Sequence, residues 1–115
     1  MTPAPIRIRL NKTTTARLPT VEYKPSFVDG IGSKTVFASM LQRAQELLDG
    51  SVVVSLDEVA AAVRLLAVRT HVVAEGAGAA SLAAALSGRA GAGRMACIVS
   101  GGSIDASTLA EILSS

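Results

Sequence analysis

The residues best suited to chemistry lie at positions 97–105, with the sequence CIVSGGSID. An apolar run that ends in two glycines predicts a buried strand, and the helical spacing of Leu109 and Ile112 predicts a helix after it. Paired glycines let a backbone approach a ligand closely, and free N–H groups at a helix start favour an anion or a polar ligand group. The turn at residues 100–103 is therefore a candidate binding site, with a purely structural turn as the alternative.

A second candidate is the carboxylate of Glu75, which follows the apolar run VVA and precedes the small residues GAG. A carboxylate in crowded apolar surroundings is costly unless it is paired or has a function. The alternative is that its charge favours the start of the following helix through the helix dipole. His71 is the only histidine and has no cysteine or acidic residue at metal-ligand spacing. We interpret it as a residue at the end of a helix, and we predict no metal site.

Sequence motifs that specify a reaction are missing. The chain has no Gly-x-Ser-x-Gly nucleophile elbow, no Cys-x-x-Cys pair and no P-loop. The pair Gly76 and Gly78 lacks the third glycine of the dinucleotide-binding fingerprint. The residues by themselves therefore predict a binding turn and no catalytic residue.

Composition limits the classes of partner. The 115 residues suit one domain, and an aromatic content of 3% means that alanine, valine, leucine and isoleucine must build the core. The net charge of +2 is concentrated at the start of the chain, because residues 1–24 carry five basic side chains and one acidic one. Without basic runs or interleaved aromatic residues, we expect no nucleic-acid partner. No apolar stretch reaches the ~18 residues of a membrane span, so we expect no membrane anchor.

The only cysteine, Cys97, has no partner for an internal disulfide and is predicted to be a small core residue. The first residues have no hydrophobic core of a secretory signal, so a cytoplasmic location is expected. All four prolines fall within residues 1–25, which we interpret as an extended or disordered basic arm.

The remaining residues, 26–115, alternate between strand and helix patterns. Short apolar strands are predicted at residues 51–54, 71–75 and 95–99. A first amphipathic helix starts after an N-cap at Ser33, and a second starts at a capping box formed by Ser55 and Glu58 and runs to about Thr70. An alanine-rich helix at 76–86 and a last helix after Asp105 complete the pattern.

This alternation predicts an α/β fold, with a partial three-layer arrangement of a short, mainly parallel sheet flanked by helices. Right-handed crossovers would place the strand ends that carry Ser55 and Ser100 along one edge of the sheet. Ligands bind at that edge in α/β folds.

Four motifs occur in order: DGIG at 29–32, VVSLDEV at 53–59, EGAGAA at 75–80 and SGGSID at 100–105. Together they resemble the C-terminal part of the fold-type II pyridoxal-phosphate enzymes of the threonine and serine dehydratase group. The resemblance runs from about Val21 to the C-terminus. It implies pyridoxal phosphate as cofactor, a small amino acid as substrate, and deamination of a hydroxy amino acid to a 2-oxo acid and ammonia.

By this resemblance, Ser100 is the hydroxyl that faces the pyridine nitrogen of the cofactor. Glu75 would lie near the cofactor ring, and Gly30 in a loop that passes over the ring face. Gly101 is assigned to the same cofactor-binding set. Ser103 stands where the family normally has asparagine.

Three family segments are not found in this sequence: the segment with the Schiff-base lysine, an asparagine-containing loop and the glycine-rich phosphate cradle. We therefore predict a dehydratase-like fragment that is inactive alone, because the electron-sink chemistry needs the lysine. The alternative is a structural or regulatory fragment that forms a homo-oligomer or complements a lysine-bearing dehydratase chain. Exposed apolar faces and open sheet edges would favour such association.

Overall fold

A computed structural model of the chain describes residues 22–115, in which regular structure is entirely helical. Its α-helices are α1 (Ala38–Leu47), α2 (Leu56–Leu65), α3 (Gly76–Leu86) and α4 (Ala106–Ser114). A π-helical turn at Leu66–Thr70 continues α2. Of the arm predicted at residues 1–25, only residues 22–25 are described, and they form neither helix nor strand.

The predicted α/β fold, with its short parallel sheet and partial three-layer arrangement, is wrong for residues 22–115, which contain no β-strand. A strand requires a repeating ladder of backbone hydrogen bonds to a neighbour. Between residues 71–75 and 95–101, the described part of the chain shows one such bond, from the Glu75 N–H to the Gly101 carbonyl at 3.1 Å. Within the described residues, these apolar runs therefore do not form the hydrogen-bond ladder of a sheet with one another.

The core is small and is built where α3 and α4 pack against α2. Its buried members are mostly alanines and valines, so the helices approach closely, as the low aromatic content suggests. They are Val59, Ala62 and Val63 of α2, Ala79 and Ala83 of α3, Ile112 of α4, and Ala74.

The start of α2 confirms the predicted capping box. The Ser55 hydroxyl accepts from the Glu58 N–H at 3.1 Å, and the Glu58 carboxylate accepts from the Ser55 N–H at 2.7 Å. Arg89, in the loop after α3, donates to the same carboxylate at 2.8 Å and to the Val53 carbonyl at 2.9 Å. These contacts fasten the loop after α3 to the first turn of α2.

Helix α1 exists but starts later than predicted. Ser33 does not cap it, since its hydroxyl donates to the Thr35 carbonyl and Phe37 occupies the N-cap position. None of the α1 residues is buried, and its apolar side remains open, with Phe37 80% exposed and Leu47 79% exposed.

His71 ends the π-helical turn in a left-handed conformation, with φ of 57°. The interpretation of this residue as a helix end is confirmed. Left-handed backbone costs a residue with a Cβ about 1–2 kcal/mol relative to glycine. Its side chain is exposed, so the strain has no compensating burial.

We expect His71→Gly to stabilise the fold by about 0.5–1 kcal/mol, because relief of left-handed strain exceeds the entropy that glycine adds to the unfolded chain. Urea unfolding followed by circular dichroism measures the change. His71→Ala keeps the Cβ and is the matched control, for which no gain is expected. Equal stability of the glycine and alanine variants would contradict this explanation.

The capping box also predicts a pH dependence. The Ser55 N–H and the Arg89 guanidinium lower the pKa of Glu58. A carboxyl with a lowered folded-state pKa adds stability above its ordinary pKa, and this stability is lost as the pH falls through the lowered value. We expect Glu58→Gln to flatten the acid side of the stability profile, measured by thermal unfolding across that range.

Candidate functional site

The structure brings three of the four predicted site residues together. The Glu75 carboxylate lies against Gly101, where an added Cβ would collide with its Oε1 atom. Its Oε2 atom is 4.0 Å from the position that a Cβ on Gly30 would take. Glu75 thus lies between the turn at 100–103 and the loop at 29–32, two regions about 70 residues apart in the chain.

Ser100, the fourth predicted site residue, directly precedes Gly101 in a stretch whose side chains alternate in exposure. Cys97 and Val99 are half-buried, whereas Ile98 and Ser100 are exposed. Val99 packs against the core. Ser100 therefore lies on the open side of the stretch, and within residues 22–115 its hydroxyl forms no hydrogen bond. It is available to a ligand.

Two further glycines let the backbone of this turn pack closely. A Cβ on Gly78, in the first turn of α3, would lie 2.5 Å from the Gly101 carbonyl oxygen. A Cβ on Gly102 would lie 2.6 Å from the Val73 carbonyl oxygen. Gly102 belongs to the predicted binding turn at 100–103, whereas Gly78 was not assigned to the site. The only signal was the pair of glycines at the start of α3, which indicates close packing without identifying the partner.

Glu75 is the N-cap residue of α3, but its side chain forms no capping hydrogen bond. The ion pair found in the described part of the chain joins Arg89 to Glu58, away from this cluster. The Glu75 carboxylate consequently has no cation beside it among residues 22–115. Its charge near the helix start is favourable, in agreement with the dipole alternative, and its oxygens can accept from a ligand.

Nowhere in the described part do three or more histidine, cysteine, aspartate or glutamate side chains come together to hold a metal ion. No described helix has both the length and the apolar character required to cross a membrane.

The contact between Gly101 and Glu75 gives a testable prediction. We expect Gly101→Ala to destabilise the fold by about 0.5–1 kcal/mol, because the new methyl group would displace the Glu75 carboxylate, which is the far end of a flexible side chain. Combining it with Glu75→Ala removes the collision, so the double variant should recover most of the loss. Urea unfolding measures all three variants.

Gly50→Ala is the matched control, since nothing lies within 4 Å of a Cβ there. This exposed site should show a change within ~0.5 kcal/mol. Additive effects of the Gly101 and Glu75 substitutions would contradict the predicted contact.

Comparison with known protein families gives one match, to the family described as pyridoxal-phosphate dependent enzyme, over residues 6–101. The match covers the loop at 29–32, Glu75 and the first two residues of the turn at 100–103. It starts upstream of Val21, where the sequence analysis placed the beginning of the resemblance.

Two curated relatives are similar to the chain. One is an L-threonine ammonia-lyase of Geobacter sulfurreducens, 36% identical over 90 residues, which are 76% of this chain and 22% of the relative. The other is an L-threonine ammonia-lyase of Thermotoga maritima, 36% identical over 94 residues, which are 81% of this chain and 23% of the relative. The matched part of the chain thus spans less than a quarter of the length of either relative.

Proposed function

The chain belongs to the pyridoxal-phosphate dependent enzyme family, and from that membership we propose that Glu75, Gly30 and the turn at 100–103 form one wall of a pyridoxal-phosphate site. The observation that carries the proposal is the convergence of the Glu75 carboxylate, Gly101 and Gly30. These three residues come from separate motifs and lie close together although residues 22–115 contain no strand.

The residues at this wall fit the cofactor chemically. The absence of a side chain at Gly101 leaves room for the Glu75 carboxylate, and its absence at Gly30 leaves room for Ala77, so both loops can lie close to the carboxylate. The unpartnered Ser100 hydroxyl supplies a neutral hydrogen-bonding group for a ring nitrogen. When bound, pyridoxal phosphate withdraws electrons from an attached amino acid. Because Ser100 is proposed to contact the ring nitrogen, other residues would hold the phosphate.

The proposed role of Glu75 is to accept a hydrogen bond from the bound ligand. It has no cation beside it in the described part of the chain, and its carboxylate borders both glycine loops. A half-buried carboxylate in this position favours a ligand group that carries N–H or O–H. The backbone bond from Glu75 to Gly101 keeps this acceptor in register with Ser100.

The family reaction proposed for the complete site is deamination of threonine or serine to a 2-oxo acid and ammonia. The names of both relatives support threonine as a substrate. The sequence has no lysine in the context of the family's Schiff-base segment. We therefore propose that the chain supplies a cofactor wall and does not turn over substrate alone.

The structure also supports a proposal about association. Phe37, Leu47 and Ile98 are between 78% and 80% exposed, which is unusual for large apolar side chains. Among residues 22–115, the stretch around Ile98 does not pair with another strand, so it has the backbone groups of an open sheet edge. A second copy of the chain, or a lysine-bearing dehydratase subunit, would cover these surfaces. The cytoplasmic location stays a prediction.

The test of the cofactor wall is a titration of the purified chain with pyridoxal phosphate, followed by calorimetry. Saturable binding is expected, and Ser100→Ala should weaken it by about two- to tenfold, the effect of one net hydrogen bond. Ser107→Ala, another exposed serine, is the matched control and should bind as the parent chain does. Absence of saturable binding would refute the cofactor wall.

The same samples test the proposed inactivity. Incubation with threonine and pyridoxal phosphate should give no 2-oxobutanoate above a blank without protein. Turnover by the purified chain would show that a residue of this sequence replaces the family lysine.

A further inference from the structure

We propose that Ser81 is a positioning residue that keeps the Ser100 side chain exposed. This inference rests on the proposed function for the role of Ser100. The Ser81 hydroxyl donates to the Ile98 carbonyl at 2.9 Å. The Ser81 carbonyl in turn accepts from the Cys97 thiol at 3.7 Å. Ser81 therefore holds two consecutive residues just before Ser100.

The hydroxyl of Ser81 differs from several others in the described helices. Thr70, Ser87 and Ser114 donate to carbonyls three or four residues earlier in their own helical stretch. Such bonds satisfy the hydroxyl locally and join nothing else. Ser81 instead donates across 17 residues of sequence to a separate segment.

One side of α3 contacts the segment at intervals of three residues. Glu75 and Gly78 lie at Gly101, and Ser81 lies at Ile98, so helix and segment run in opposite directions. Positions three apart share a helix face. The hydrogen bonds at Ile98 and Gly101 thus bracket Ser100 on both sides.

The two hydrogen bonds on either side of Ser100 matter because side chains of an extended segment alternate between faces. Val99 packs on the core, and Ser100 is exposed. A slip of one residue would turn Val99 outward and direct Ser100 into the apolar core. The Glu75 N–H fixes the register at the Gly101 carbonyl, and the Ser81 hydroxyl fixes it at the Ile98 carbonyl on the other side of Ser100.

The sole cysteine of the chain reports on this arrangement without any cofactor. Cys97 is half-buried, with its thiol against Ser81. We expect Ser81→Ala to speed labelling of Cys97 by a maleimide about fivefold, the effect of losing one net hydrogen bond. Ser81→Thr keeps the hydroxyl and should label at close to the parent rate.

Two controls separate this effect from a general loss of stability. Ser114→Ala removes a hydroxyl that bonds within its own helix and should label at the parent rate. Ile112→Val weakens the buried core at α4, so it should change the unfolding midpoint more than the labelling rate. Equal labelling of Ser81→Ala and the parent chain would overturn the proposal.

Cofactor titration then distinguishes positioning from a merely structural contact. Ser81→Ala should weaken pyridoxal-phosphate binding several-fold, and combining it with Ser100→Ala should add little, because Ser81 acts through Ser100. Faster labelling with unchanged affinity would overturn the positioning role. If the parent chain binds no cofactor, the proposed function fails, and the labelling rates alone decide whether Ser81 sets the register.

Discussion

The contact on which the described structure depends is the approach of the Gly101 peptide to the first turn of α3. It is possible because Gly78 has no side chain, and it places the Gly101 carbonyl within hydrogen-bonding distance of the Glu75 N–H. The helix start and the turn then share one small volume, which also contains the Glu75 carboxylate. Any side chain at either glycine would separate the two halves of the candidate site.

The sequence predicted best those features that depend on interactions between residues close together in the chain. The α2 capping box spans four residues and is recognisable from Ser55 and Glu58 alone. The end of the same helical stretch at Thr70 was also predicted, although the π-helical turn was not. The start of α1 was predicted too early because the Ser33 hydroxyl bonds to the nearby Thr35 carbonyl. Residue type alone does not decide between such competing local hydrogen bonds.

The missing sheet has a different cause. Apolar β-branched runs show that a segment suits a strand, but pairing is a property of two segments together. In the described residues the pairing reduces to one bond at Glu75. The motif resemblance assigned Glu75, Gly30 and Gly101 to one cofactor site, and the structure places the three close together, whereas their role toward a cofactor stays a prediction. Gly78 and Ser81 were missed because their contacts lie across the fold.

The open apolar side of α1 has a thermodynamic consequence. Side chains such as Phe37 and Leu47 are in water before and after unfolding, so they add little to the heat capacity of unfolding. A chain folded in this way has a flatter dependence of stability on temperature and a shallower response to urea than its composition suggests. When a partner covers this apolar surface, its burial gives a negative heat-capacity change of binding. Calorimetry can therefore detect assembly without any enzymatic readout.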